Sequence, residues 1–308
     1  MWQPSASLEN LQQRARLIKQ IRDFFEARNV MEVETPLLCH TSVTDPHLHS
    51  MQAESCYLQT SPEYAMKRLL AAGSGPIFQI SKAFRKDEAG RLHNPEFTML
   101  EWYRPGFDHL QLINEVDELL QLVLKTAPAE RKTYRDIFNE QLQLDPHTAS
   151  IDELATIAAN HFTIHEKITD RDTWLQLLMS HCIEPQLGKN QPCCIYDFPA
   201  SQAALAKIQP TQPPVASRFE FYFKGIELAN GFHELQNANE QRTRFESNRA
   251  ERKKLSLTDV SIDELFLAAL ESGLPDCAGV ALGVDRLIML ASGSKHIKEV
   301  ISFDFERA

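Results

Sequence analysis

Apolar residues recur along the first thirty positions at intervals of three and four. Leu8, Leu11, Ala15, Ile18, Ile21 and Phe25 carry the pattern, and it predicts a helix over 8–30 with one greasy face. The segment VMEVETPLL reads as extended, with Pro36 confined to a strand start or an edge because it has no amide to donate. CYLQT reads as a strand and SPEYAMKRLLAAG as a helix, with Ser61 as N-cap, Pro62 in its first turn and Gly73 or Gly75 at its end. PIFQISKAFR and EFTMLEWYR predict two strands of a long hairpin whose tip, KDEAGRLHNP, is polar. A helical pattern covers 110–124. The stretch 126–191 reads as helical and polar, broken by Pro128, Pro146 and Pro185, an insertion packed beside the core. CCIYDFP predicts a strand. RFEFYFKGIELANG predicts one strand, with Phe219, Phe221 and Phe223 on one face and Glu220 and Tyr222 on the other. Helices follow near 240–254 and 262–272, then a strand, AGVALG, runs into a helix, VDRLIMLAS.

Strands joined by hairpins, with helices gathered around them, predict an α+β fold with a mostly antiparallel sheet. Neither GxGxxG nor GxxxxGK[ST] occurs in the sequence, so nucleotide binding of the Rossmann or P-loop kind has no support. The 308 residues, 43% hydrophobic and 24% charged, suit one large or two small soluble domains. There is no run of 18 apolar residues and no apolar region near the N-terminus, so neither a membrane span nor a secretory signal is expected. Six cysteines without CxxC spacing read as reduced, mostly buried thiols of a cytoplasmic protein. A net charge of −10 argues against a large nucleic-acid footprint, which needs a basic surface.

Three segments carry chemistry. In the hairpin, Arg85 closes an apolar strand and can fork onto a phosphate or carboxylate. Phe97, Met99, Glu101 and Tyr103 share one face of the returning strand, offering a ring to stack on and a carboxylate to hold a cation. Taken alone, the segment also fits an edge hairpin with a solvated charged side. In GIELANGFHEL, Glu227 and Glu234 stand in an apolar strand, where a carboxylate is paired, metal-bound or beside a turn. In AGVALGVDRL, small residues let a ligand approach the backbone and Arg286 follows in the first helical turn; an ordinary strand-to-helix turn fits as well. His40, Asp45, His47 and His49 lie close together but read as a polar loop. The run RTRFESNRAERKK reads as a solvated helix face or a basic docking patch.

In order and spacing these segments resemble the three motifs of class II aminoacyl-tRNA synthetases. The first helix with VETPLL resembles motif 1, FRKDEAGRLHNPEFTMLEWY motif 2 and GVALGVDRL motif 3. HNPEFTMLEWY and GIELANGFHEL are similar to the lysyl subgroup. TSPEYAMKRLL, FPASQAAL and PDCAGVALGVDRL resemble the truncated lysyl-tRNA synthetase paralogues that attach (R)-β-lysine to elongation factor P. With the first helix starting near residue 8, no anticodon-binding domain is expected.

The resemblance implies a single catalytic domain over 1–308 that uses ATP and Mg²⁺ to make a lysyl-type adenylate. It implies ATP contacts at Arg85, Lys86, Asp87, Asn94, Phe97, Glu227, Leu228, Gly283 and Arg286, with Arg85 and Arg286 catalytic. It assigns the amino acid to Ser61, Pro62, Glu63, Glu101, Tyr103, Glu234 and Ala281, and Mg²⁺ to Glu227 and Glu234. The partners implied are (R)-β-lysine or lysine, elongation factor P as acceptor, and a second copy of the chain through motif 1, with little or no tRNA binding. Two positions depart from the synthetase pattern. Lys86-Asp87 stands where Asn-Glu is usual, and Ala281 stands where lysyl-tRNA synthetases have glycine. The alternatives are a lysyl-tRNA synthetase-like enzyme acting on tRNA and a non-catalytic regulatory paralogue.

Overall fold

The computed structural model describes residues 2–86, 88–164 and 168–308. The first stretch contains α1 (Leu8–Glu26), β1 (Met31–Glu32), β2 (Leu38–Cys39), β3 (Gln52–Ala53), β4 (Cys56–Leu58), α2 (Glu63–Ala71), β5 (Ile77–Phe84) and β6 (Glu96–Pro105). Then come α3 (His109–Leu124), β7 (Glu130–Thr133), α4 (Tyr134–Leu142), α5 (Ile151–Ala159), α6 (Arg171–Leu178), β8 (Cys193–Pro199), β9 (Ile208–Gln209), β10 (Val215–Phe223) and β11 (Ile226–His233). The chain closes with α7 (Ala238–Lys254), α8 (Glu264–Gly273), β12 (Cys277–Gly283) and α9 (Val284–Ser292). Two compact units form: one from Met1–Asp108 with Leu235–Ala308, the other from His109–Glu234.

In the first unit, α1 starts where the Ser7 hydroxyl accepts from the Asn10 amide at 3.1 Å, covering one of the orphan donors of the first turn. It stops short of the predicted 8–30, because Asn29 takes a left-handed φ of 54° and turns the chain into β1. Strand β1 runs parallel to β5, and β5, β6 and β12 pair antiparallel. The register sorts side chains cleanly. Phe78, Leu100, Trp102, Val280 and Leu282 share one face, and none is more than 3% exposed. Phe25 of α1 stacks on Phe78 at 4.5 Å and meets Trp102 edge-on at 5.2 Å, which seals this face as core. The opposite face carries Gln79, Ser81 and Ala83 from β5, Phe97, Met99, Glu101 and Tyr103 from β6, and Gly279, Ala281 and Gly283 from β12. Strands β2, β4 and β3 form a separate small antiparallel sheet.

In the second unit, β11, β10 and β8 are antiparallel and β7 runs parallel to β8. The segment read as one strand is two. Lys224 (φ 52°) and Gly225 (φ 70°) form a tight turn between β10 and β11, the left-handed pair that a two-residue hairpin requires. The faces alternate as expected, but burial does not follow them, since Phe219, Glu220, Phe221 and Tyr222 are all buried. Both faces of β10 are covered. The stretch 126–191 is helical but opens with β7, whose sequence ERKT has no apolar alternation to announce it. It is also less polar inside than it reads: Tyr134, Phe138, Leu154, Trp174, Leu178 and Ile183 cluster with Ile195, Phe198 and Tyr222 of the sheet.

Candidate active site

The polar face of β5, β6 and β12 holds a closed hydrogen-bond network around Glu101. The Tyr103 hydroxyl donates to Glu101 Oε1 at 2.6 Å and the Ser61 hydroxyl donates to Oε2 at 2.7 Å. Ser61 also accepts from the Glu63 amide at 3.1 Å. It thus serves the start of α2 as a cap would, although Pro62 occupies the formal N-cap position. Glu63 is held in turn by Lys67, at 2.6 Å and only 1% exposed. Burial, reinforced by the Glu63 charge and opposed by the two hydroxyls and Lys67, pushes the Glu101 carboxyl up to about 7. No lysine or arginine among the described residues ion-pairs with Glu101. Directly opposite it on β12 stands Ala281, flanked on the same face by Gly279 and Gly283, so the floor beside the carboxylate is built from the smallest residues.

At the other end of this face, the Arg85 guanidinium lies 5.1 Å from the centre of the Phe97 ring, and its buried Nε has no hydrogen-bond partner among the described residues. The Arg85 and Lys86 amides close the loop by donating to the Pro95 and His49 carbonyls, at 2.9 and 2.8 Å. Arg286 reaches back to the same loop, 2.5 Å from His93 Nε2. Burial and the cation together lower the His93 pKa, so the neutral ring accepts from the guanidinium. Asn94 is occupied at both ends of its side chain: its Nδ2 donates to the Glu96 carbonyl at 2.6 Å, and its Oδ1 accepts from the Phe305 amide at 3.0 Å. A Cβ added at Gly283 would meet the Arg286 stem at an ordinary 3.7 Å. Nothing within the chain itself demands glycine there. Asp87 lies outside the described residues.

Pro62 leads directly into α2, which begins at Glu63. The remaining carboxylates sit in the second unit. Seven residues apart on an unbroken strand, Glu227 and Glu234 would point to opposite faces. The register with β10 slips at this point: Glu227 opposes Tyr222 and Ala229 opposes Phe221, leaving Leu228 as the extra residue of a β-bulge. The slip reverses the parity. Continued one residue past β11, the alternation puts Glu227, Asn230, Phe232 and Glu234 on one face. Leu228 is buried in the bulge and Glu234 is 1% exposed. No group of three His, Cys, Asp or Glu able to hold a metal is found among the described residues.

The hairpin and AGVALGVDRL thus share one sheet face of the first unit and GIELANGFHEL supplies a face of the second, and comparison with known proteins agrees on their origin. The model of the class II tRNA synthetases of the D, K and N type matches residues 2–307. The chain belongs to this family. It is 57% identical to a Vibrio cholerae protein, over all of this chain and 98% of the relative. It is 58% identical to one from Vibrio vulnificus over 99% and 98%, and 55% identical to one from Haemophilus influenzae over 100% and 98%. Each of these relatives is named elongation factor P–(R)-β-lysine ligase.

Sequence reasoning passed over several residues that the structure places at the site. Lys67 was legible only as one turn of helix beyond Glu63. His93 gave no signal beyond its place in the hairpin loop. Gln79, opposite Glu101 in the β5–β6 pairing, was visible as a polar position alternating with Phe78 and Ile80, but its neighbour depends on the register. The basic run on α7 changes meaning: Arg242, Arg244 and Arg249 pair with Glu264, Glu240 and Asp259. Arg252 donates to the Asp45 and Thr258 carbonyls. Its arginines are spent inside the molecule, which weakens the docking-patch reading. Of the six thiols, three are buried and three half-buried.

Proposed function

We propose that this chain activates (R)-β-lysine, or lysine, with ATP and transfers the acyl group to a lysine side chain of elongation factor P. The observation that carries this reading is Glu101. A buried carboxylate, gripped by two hydroxyls and without an ion-pair partner among the described residues, is a seat for a cation delivered by the substrate. The terminal ammonium of a lysine-type amino acid supplies that cation, and the small residue at Ala281 leaves room for its chain. The names of the full-length relatives support the same substrate and acceptor.

In the first step a substrate carboxylate oxygen attacks the α-phosphorus of ATP, the bond to the bridging oxygen breaks, and pyrophosphate leaves. Arg85 offsets the negative charge gathered on the α-phosphate, Phe97 offers its ring to the adenine, and Arg286 holds the nucleotide from β12–α9. Gly283 leaves the backbone open to the nucleotide. Two carboxylates brought to one face of β11 by the Leu228 bulge, Glu227 and Glu234, suit Mg²⁺, which prefers oxygen ligands. Bound there, the ion would neutralise phosphate charge. In the second step the neutral amine of the acceptor lysine attacks the adenylate carbonyl, an amide bond forms, the nitrogen releases one proton to solvent, and AMP departs with the electron pair of the broken C–O bond.

Leu8, Met31 and Leu38 are each more than half exposed and lie in the segment that resembles motif 1. That exposure supports a homodimer through this surface. The net charge of −10 favours a protein acceptor over tRNA. The test is incubation with ATP, Mg²⁺, (R)-β-lysine and elongation factor P, read by intact mass. A gain of one lysyl unit on elongation factor P, absent when ATP is omitted, is the expected result. Charging of tRNA with no change in elongation factor P overturns the acceptor.

A further inference from the structure

We infer that Gln79 is a specificity-determining residue of the amino-acid pocket, its side-chain carbonyl accepting a hydrogen bond from the substrate's terminal ammonium. The inference rests on the reading of Glu101 given above and adds a residue to it. Gln79 sits on β5 directly opposite Glu101 on β6, and directly opposed residues of an antiparallel pair share a face with their Cβ atoms about 4.5–5.5 Å apart. It is 2% exposed, yet its Oε1 has no hydrogen-bond partner among the described residues. A buried amide oxygen left unmade is costly, and such atoms in folded proteins call for a missing partner. The polar atoms nearby in sequence tell the same story: Thr60 Oγ1 and Ser81 Oγ are buried and unpartnered too, one beside Ser61 and the other next along the polar face from Gln79.

An ammonium brings three donors and needs three acceptors. Glu101 supplies one through the lone pairs that Ser61 and Tyr103 leave unused. Its other carboxylate oxygen supplies a second. Gln79 supplies the third without adding charge, and neutrality matters at this position. The Glu63 charge already pushes the Glu101 carboxyl up and Lys67 opposes it only in part, so a third carboxylate would have to be neutralised by protonation or by another cation.

The test compares wild type with Gln79→Met, which keeps length and volume but removes the polar atoms. Pyrophosphate exchange gives separate KM values for ATP and for the amino acid, and calorimetry gives ATP binding directly. The substrate pair is (R)-β-lysine and 3-aminoheptanoic acid, in which a methyl replaces the terminal ammonium. Gln79→Met is expected to raise KM for (R)-β-lysine about ten- to a hundredfold, the effect of a hydrogen bond to a charged group, and to shrink the preference over the methyl analogue by the same factor. KM and Kd for ATP should stay within about twofold of wild type, as no shared contact links them. An unchanged amino-acid KM, or ATP and amino-acid constants that worsen together, overturns the inference. Gln79→Glu, held neutral by protonation, keeps a carbonyl acceptor in the same place, so it must retain the preference for the ammonium substrate even if Gln79→Met folds poorly; loss of that preference also counts against the inference. A wild-type enzyme that binds ATP but shows no lysine-dependent exchange defeats the reading of the site itself, which separates the two failures.

Discussion

The same short pattern, a glutamate two residues before a tyrosine on a buried strand, occurs once in each unit with opposite consequences. On β6, Glu101 takes the Tyr103 and Ser61 hydroxyls and has no ion pair among the described residues. On β10, Glu220 takes the Tyr222 hydroxyl and also the guanidinium of Arg218. Arg218 is fixed further by the Gln202 carbonyl at 2.9 Å and Asn230 Oδ1 at 3.3 Å. The difference lies one step back on the same face of each strand, where β10 has Arg218 and β6 has Met99. The β10 carboxylate is electrically complete and belongs to the architecture. The β6 carboxylate is held in position but left short of a countercharge, and that shortage is what a cationic substrate relieves.

Breaking each carboxylate's support should therefore give effects of different kinds. Glu101→Gln removes the seat for the ammonium while keeping its amide oxygen as acceptor for one hydroxyl and offering its NH2 as donor to the other. We expect KM for (R)-β-lysine to rise about a hundredfold or more in pyrophosphate exchange, because loss of one member of a buried charge pair costs about 3–5 kcal/mol, with the melting temperature held or raised. Arg218→Met is the mirror case. It strands Glu220 without its cation, so denaturant unfolding should show a loss of about 3–5 kcal/mol, while the amino-acid KM of the folded fraction stays near wild type. If Arg218→Met leaves stability intact, the contrast between a structural and a functional carboxylate is wrong.

The two carboxylates also separate by pH. Glu101 titrates near 7 in the empty site, above its ordinary 4.5. The native state thus holds a proton that the unfolded chain has released between those values. This group's contribution to the stability of the unliganded protein is full below about 4.5 and is lost as pH rises toward 7. Substrate needs the ionised form, so binding should run the other way. KM for the amino acid should climb about tenfold for each pH unit below 7 and level off above it. Glu101→Gln should flatten that profile. A profile that Glu101→Gln leaves unchanged assigns the titration to another group.

How much of this was legible in sequence differs between the units for physical reasons. Period-two alternation was enough to put Phe97, Glu101 and Tyr103 on one face, because β6 is a regular ten-residue strand. The same alternation sorted the faces of β10 but was silent on burial: Glu220 and Tyr222 share a face, and that face is covered. The cover comes from the helical stretch 126–191, and no local pattern reports a distant lid. The Lys224-Gly225 turn was missed because lysine is an uncommon occupant of a left-handed position. The Leu228 bulge was invisible altogether. The spacing of Glu227 and Glu234 acquires meaning only once the register with β10 is known. Gln79 is the same lesson in the first unit: its polarity was in the sequence, its neighbour only in the pairing.

The smallest effect we expect comes from the residue opposite Glu101 across the other edge of β6. Ala281 contributes a single methyl to the face on which the carboxylate lies. An α-amino and a β-amino group sit one carbon apart along the substrate chain. With the terminal ammonium anchored at Glu101, moving the amino group by one carbon changes where the rest of the molecule presses on this wall. Ala281→Gly removes the methyl and opens space, at the modest backbone cost of glycine in a strand. A one-methyl change in a pocket discriminates by about 1–3 kcal/mol, and the wall is only partly buried, so we expect the lower end: a shift of about fivefold in relative kcat/KM toward α-lysine over (R)-β-lysine. The measurement is pyrophosphate exchange with both isomers side by side. A ratio that does not move would exclude the methyl as a selector and leave discrimination to the carboxylates, while a shift toward (R)-β-lysine would mean that the methyl faces the substrate in the opposite sense from the one its register implies.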